Sequence, residues 1–361
     1  MRDIWAYHYL GDTHDLRDVR GYLASETADN GTNDACGGLG TMSGHRDMLY
    51  QGVEAKYRTA HYIPDTTCHI LAAVHIIFCG TSAFALPCLQ ALAREKRCTV
   101  DAVITQADKP VGRKQILTPP PVKLLAQQLK MPVLQPAKIN AEWKSIVEGR
   151  QRPEFLVVVS YGQILSQEIL DFPTIAAVNV HASLLPKLRG ASPIQHAILQ
   201  SMEKTGVTVQ RMVKELDAGP VLGQQEISIG ARETAQGLHD LLADMGAKLL
   251  IDVLSETLHE EAQDASHATF CGKLSRTDGV VDAATMTAQE IDRTVRALTP
   301  WPGVTWNGMK LLLTSLEPSA DAYAIPCKKN TTLYAVTVQP PGKKPMSGAD
   351  FARGQRTSPS R

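Results

Sequence analysis

His75-Ile-Ile-Phe-Cys-Gly80 is a continuous apolar run that ends in glycine, followed at once by Thr81-Ser82 and by apolar residues at Phe84, Leu86, Leu89 and Leu92. A short apolar run closed by turn residues reads as a buried strand, and the three-to-four spacing after it reads as a helix. The unit is strand, tight turn, helix, and its parts recur along the chain. Val100-Asp-Ala-Val-Ile-Thr105 is the next strand, Lys109 to Pro121 a polar, basic, proline-rich loop, and Val122 to Leu129 a short helix. Pro132-Val-Leu134 is a short strand, and Phe155-Leu-Val-Val-Val-Ser160 a run of the kind buried on both faces of a sheet. Gln163 to Leu170 is helix-like and Ala176-Ala-Val-Asn-Val-His181 is a further strand. This alternation predicts βαβ units, a parallel sheet and an α/β fold of Rossmann-like type.

Outward from that core, Thr205 to Gln210 and Gly223 to Ile229 continue the sheet. Thr234 to Leu258, with Leu238, Leu241, Leu242, Met245, Leu249, Val253 and Leu254, forms a long amphipathic helix that closes a first domain at residues 75–258. Residues 259–270 are polar and linker-like. Beyond them Val280-Val281, Leu311 to Thr314 and Leu333 to Val338 read as strands, and Gln289 to Leu298 as a helix. These define a second, small domain at residues 271–354, followed by a tail at 355–361. Residues 1–74 show no sustained period, and Asp29 to Asp34 and Gly37 to Gly40 are coil signals. They read as a poorly ordered extension, or as the product of a start codon placed too far upstream.

A chain of 361 residues, 43% of them hydrophobic, is long enough for two domains with a sizeable core. Lys and Arg total 37, as do Asp and Glu, so net charge exerts no global pull toward nucleic acid. The seven cysteines are irregularly spaced and none forms Cys-x-x-Cys, which argues against a disulfide framework and a zinc site and suits a reducing cytoplasm. No apolar run approaches the ~18–20 residues of a membrane span.

Within Val178-Asn179-Val180-His181, alternation along a strand puts Asn179 and His181 on one face. Open parallel sheets bind ligands beyond the carboxyl ends of their strands, where His181 falls. An asparagine amide there can donate to a developing oxyanion, and an imidazole can accept or deliver a proton. A carboxylate is then wanted beside them. A lone Asn-x-His pair on a strand is more often structural than catalytic, and the surrounding residues decide.

Those residues, Asn179-Val-His-Ala-Ser-Leu-Leu-Pro-Lys-Leu-Arg-Gly190, with Glu215-Leu-Asp-Ala-Gly-Pro220 downstream, closely resemble the signature of the folate-dependent formyltransferases. The resemblance implies that Asn179, His181 and Asp217 are catalytic. It also implies that Ser183, Leu184, Leu185 and Pro186 shape a pocket for the co-substrate 10-formyltetrahydrofolate, and that no metal is needed. Arg189-Gly-Ala-Ser-Pro-Ile-Gln195, Pro300-Trp-Pro-Gly303 and Gly342-Lys-Lys-Pro-Met-Ser347 resemble the branch that acts on initiator Met-tRNA, the methionyl-tRNA formyltransferases. That branch adds a small β-barrel of oligonucleotide-binding type and reaches the tRNA with a basic loop, here Arg113 and Lys114. The loop is less basic than in some members. Little room is left between Leu313 and Leu333, so a reduced, partly open barrel is expected. Rival readings are a sugar-nucleotide N-formyltransferase and a non-catalytic RNA-binding relative. A cytoplasmic monomer is the default.

Overall fold

The computed structural model describes residues 73–112 and 114–356. The reading of residues 1–74 therefore falls outside the described residues except at 73 and 74, as does Arg113 and most of the tail. The first strand, β1 (Val74–Gly80), is followed by helix α1 (Leu86–Arg94) and β2 (Cys98–Ile104). The expected loop contains a hairpin of β3 (Lys109–Val111) and β4 (Ile116–Thr118), paired antiparallel with Val111 opposite Ile116. Helix α2 (Pro121–Gln128), β5 (Val133–Leu134), α3 (Ile139–Val147) and β6 (Phe155–Val159) come next, then α4 (Gln167–Leu170) and β7 (Ala176–His181). Helix α3 went unread in the sequence, because only Ile139 and Trp143 of it are fully buried.

The two-residue β8 (Arg189–Gly190) and α5 (Pro193–Leu199) precede β9 (Lys204–Arg211) and β10 (Val221–Ser228). The main sheet has the order β10-β9-β7-β6-β1-β2-β5. From β5 to β7 its neighbours are parallel, whereas β9 runs antiparallel to β7 and β10 antiparallel to β9. The sheet is thus Rossmann-like with an antiparallel flank rather than parallel throughout. All five residues of β6 are buried. At ~1.5–3 kcal/mol for each large apolar side chain, that strand anchors the sheet. Helix α6 (Ala235–Ser255) starts at Thr234, whose hydroxyl accepts from the Gly237 amide at 3.1 Å. It lies close against β7, because a Cβ at Gly246 would stand 2.8 Å from a Val180 methyl.

The segment after α6 is not a bare connector. Its short strand β11 (Phe270–Cys271) pairs in parallel with β8. Glu261 exchanges backbone hydrogen bonds with Val221 at 2.8 and 2.9 Å. Helix α7 (Ala288–Leu298) opens with a capping box of Thr287 and Glu290, and buries Ile291, Val295 and Leu298 as its periodicity predicts. The remaining strands are β12 (Val304–Trp306), β13 (Met309–Ser315), β14 (Tyr323–Cys327), β15 (Thr331–Gln339) and β16 (Met346–Ser347), before helix α8 (Gly348–Arg356). They form an antiparallel sheet of order β12-β13-β15-β14, with β16 on β15. No described pairing joins β12 to β14, and the stretch between Leu313 and Leu333, expected to leave little room for strands, holds β14. Val280-Val281 is not a strand; Val280 makes a single bridge to Thr305.

The two sheets are joined by a buried polar cluster. Asp292, 1% exposed, accepts from Arg232 Nη1 at 2.6 Å, Arg296 Nε at 3.0 Å and Thr314 Oγ1 at 2.8 Å. Arg232 also donates to the Thr314 carbonyl at 2.8 Å, and Arg296 to that of Glu233 at 2.8 Å. Among the described residues, no helix is long and apolar enough to cross a membrane.

Candidate active site

Strands β1, β6 and β7 run parallel and end on one side of the sheet, at Gly80, Val159 and His181. Beyond those ends lies a cavity of about 440 Å³, a size that suits a small organic substrate. Phe84, Tyr161, Ile194 and Trp301 supply apolar wall, and Asn179, His181 and Asp217 face the same space. The turn after β1 is tied to the turn after β6. Thr81 Oγ1 donates to the Tyr161 carbonyl at 2.8 Å, and Ser82 and Ser160 hydroxyls meet at 2.8 Å.

Asn179 and His181 share a face of β7, as strand alternation predicts, while Val178 and Val180 are buried on the other. Among the described residues the Asn179 amide has no side-chain hydrogen bond, so both of its donors are available to the cavity. His181 is 6% exposed, and its Nε2 lies 2.9 Å from the Leu188 carbonyl. A carbonyl only accepts, so Nε2 carries the hydrogen. In the neutral ring Nδ1 is then the free base, and it faces Asp217 Oδ1 at 3.8 Å. That is too long for a hydrogen bond. Leu188, not Asp217, therefore orients the imidazole. Leu188 does so from a left-handed backbone (φ 56°), an unfavourable conformation for a branched side chain. Its carbonyl also accepts from the Cys271 thiol at 3.4 Å. Burial raises the pKa of that thiol and keeps it protonated.

Asp217 sits at φ 49° on the turn before β10. Its Oδ2 accepts from the Gly190 amide at 2.8 Å and its Oδ1 from Gln210 Nε2 at 3.2 Å. Gly190 is required there twice over: its φ is 113°, and a Cβ would stand 2.4 Å from the Cys271 carbonyl oxygen.

Ser183, Leu184, Leu185 and Pro186 are not among the residues that line this cavity. They are pinned by polar residues of β9 and β10. Ser183 Oγ donates to the Lys187 carbonyl at 2.6 Å, and Thr208 Oγ1 donates to the Ser183 carbonyl at 2.7 Å while accepting from the Leu185 amide at 3.1 Å. Gln224 Nε2 donates to the Leu185 carbonyl at 2.7 Å. The segment sets the course of the chain between His181 and Gly190. Lys114 is exposed at the tip of the β3–β4 hairpin, next to exposed Ile116 and Leu117. Gly190, Gln210 and the Leu188 carbonyl were missed from sequence, because nothing in their local pattern marks a backbone group as a partner.

An imidazole with a free ring nitrogen, an amide donor and a carboxylate at one set of strand ends are the groups that group transfer at a carbonyl-like centre calls for. Residues 73–254 match the formyl transferase family, and residues 273–356 its formyl transferase, C-terminal domain. The methionyl-tRNA formyltransferase of Bacillus velezensis is 38% identical over 305 residues, spanning 79% of this chain and 96% of its own. That of Methylococcus capsulatus is 41% identical over 302 residues, spanning 77% and 96%. The chain belongs to the methionyl-tRNA formyltransferase branch of the formyl transferase family. Among solved structures, the fold is similar to an N-formyltransferase of Helicobacter canadensis in complex with folinic acid and dTDP-3-aminofucose. Its TM-score is 0.56 at 16% identity, over 73% of this chain and 98% of that one. It is also similar to HypX of Aquifex aeolicus in complex with tetrahydrofolic acid, with a TM-score of 0.53 at 13% identity, over 78% and 47%.

Proposed function

We propose that this chain transfers the formyl group of 10-formyltetrahydrofolate to the α-amine of methionine on initiator tRNA. The observation that carries the mechanism is the convergence of the unpaired Asn179 amide, His181 Nδ1 and the Asp217 carboxylate on one cavity at the strand ends. The apolar walls at Phe84, Tyr161 and Trp301 suit a flat heteroaromatic donor. Asn179 donates to the formyl oxygen as charge builds on it, a contribution of ~3 kcal/mol for one such donor. His181 Nδ1 takes a proton from the attacking amine. Asp217, 3.8 Å away, stabilises the resulting imidazolium, which returns the proton to the departing folate nitrogen.

In this reading Lys114, exposed on the hairpin, pairs with tRNA phosphates, and Arg113 shares that role by the family resemblance. In this reading residues 75–258 are the catalytic domain, 259–270 the connection, and 271–354 an oligonucleotide-binding-like domain that contacts the tRNA. Cys79, Cys88, Cys98, Cys271 and Cys327 are free, which fits work in the reducing cytoplasm, and we read the enzyme as a monomer.

The purified chain, given 10-formyltetrahydrofolate and initiator Met-tRNA, is expected to shift the mobility of the charged tRNA on an acid urea gel only when the donor is present. No shift, with donor-dependent modification of an amino sugar nucleotide instead, contradicts the acceptor assignment.

A further inference from the structure

We propose that Gln263, in the segment joining the two sheets, is a positioning residue for Asp217. The proposal rests on the role given to Asp217 above. Between positions 259 and 270 every side chain is exposed except those of Gln263 and Ala268, which are half-buried. Gln263 Nε2 donates to the main-chain carbonyls of Asp217 at 2.9 Å and Gly219 at 2.6 Å. Its Oε1 accepts from Arg189 Nε at 3.0 Å and Nη2 at 2.6 Å. Arg189 is 8% exposed, and it stands in β8 next to Gly190, whose amide holds the Asp217 carboxylate. One side chain therefore clamps the Asp217 turn from behind to the strand that grips the carboxylate from in front.

The orientation of the amide follows from its neighbours. A guanidinium only donates, so the oxygen of Gln263 must face Arg189 and its nitrogen must face the turn. That nitrogen also stands 3.3 Å from Gln210 Oε1. This fixes Gln210 in turn, with its own nitrogen toward Asp217 Oδ1 at 3.2 Å. The bonds run in one sense from the Arg189 cation through two glutamines to the Asp217 carboxylate, so each polarises the next. Asp217 itself holds a left-handed backbone (φ 49°), and such a conformation persists only where the surroundings over-determine it. Gln263 supplies that constraint. A carboxylate in its place would keep the Arg189 contact but turn an acceptor oxygen onto the Asp217, Gly219 and Gln210 oxygens. The Asp217 turn would then move relative to His181, and displacements of ~1 Å at such sites cost about 100-fold in rate.

The test compares Gln263→Glu, Asp217→Asn and the double variant in the full chain. Formylation of initiator Met-tRNA is followed under single-turnover and steady-state conditions, with circular dichroism to show folding. Gln263→Glu is expected to lower kcat by about 10- to 100-fold with both KM values within about twofold, and to cost less than about twofold more when Asp217 is already Asn. Gln263→Met, which keeps the volume and loses every hydrogen bond, is expected to show the same split and serves if the carboxylate variant does not fold. A kcat within about twofold of wild type, a change confined to KM, or an equal cost with Asp217→Asn would each overturn the proposal while leaving the role of Asp217 standing. Near-normal turnover by Asp217→Asn overturns the mechanistic reading first, and this proposal with it.

Discussion

β7 and the segment at residues 259–271 flank the same site and are held by opposite physics. The strand carries Asn179 and His181 and lies between β6 and β9, with Val178 and Val180 buried behind them. Apolar burial fixes it, and apolar burial leaves a period of two in the sequence. The connecting segment is polar and mostly exposed, and it has no period. It nevertheless clamps β8, the Asp217 turn and the start of β10 through Gln263, Glu261 and the β11 pairing. Hydrophobic patterning thus reveals the part of the site that is packed and conceals the part that is hydrogen-bonded.

The sharpest way to break this contrast is through His181, whose removal from the packed strand should change chemistry and little else. His181→Ala is expected to lower kcat by ~10²-fold or more, the usual worth of a positioned acid–base group. The change is read in steady-state formylation, and turnover near wild type would remove the imidazole from the mechanism.

Gly190→Ala probes the junction of the two regions, since the added methyl meets the Cys271 carbonyl and the backbone is held at φ 113°. Both activity and stability should fall. About 10-fold is expected in kcat as the amide leaves Asp217, with a destabilisation of about 1–3 kcal/mol in urea unfolding from the strained backbone. A variant as active and as stable as the parent would show that Gly190 is not held as described.

Asp292→Ala separates stability from chemistry. It leaves the partly buried Arg296 without its carboxylate, and a loss of about 3 kcal/mol in urea unfolding is expected, at the low end for a broken buried pair because Arg232 stays half-exposed. The rate of the folded fraction should be unchanged.

The smallest effect lies far from the site. The Asp101 carboxylate, 2.9 Å from His75 Nδ1, raises that imidazole above its ordinary 6.5. A raised histidine stabilises the fold below the unfolded value and loses that contribution as pH rises through the folded one. Asp101→Asn should therefore lower the Tm at pH 6 and matter less by pH 8.5. A gap that is constant with pH would refute the assignment.

The legible and the illegible divide along the same physical line. Phe155–Val159 was read almost to the residue because burial on both faces leaves an unbroken apolar run, and Ala176–His181 because its apolar residues alternate with Asn179 and His181. The antiparallel turn of β9 and β10 was not, since strand direction leaves no mark in a short apolar run. Asn179, His181 and Asp217 stood out through their signature and share one cavity, whereas nothing local marked how the Ser183–Pro186 stretch of that signature is held. Its hydrogen bonds to Thr208 and Gln224 arise from residues more than twenty positions away. The hairpin inside the basic loop was missed because its exposed Ile116 and Leu117 have no buried face to betray them.

In the proposed reaction the strand-borne Asn179 amide stabilises charge on a formyl oxygen during transfer to Met-tRNA. That role is tested most directly by the single-turnover rate of donor-dependent formylation in Asn179→Ala, measured beside its circular dichroism. A folded protein slowed by ~10²-fold or more is expected. A folded variant that transfers formyl at the parent rate would contradict it.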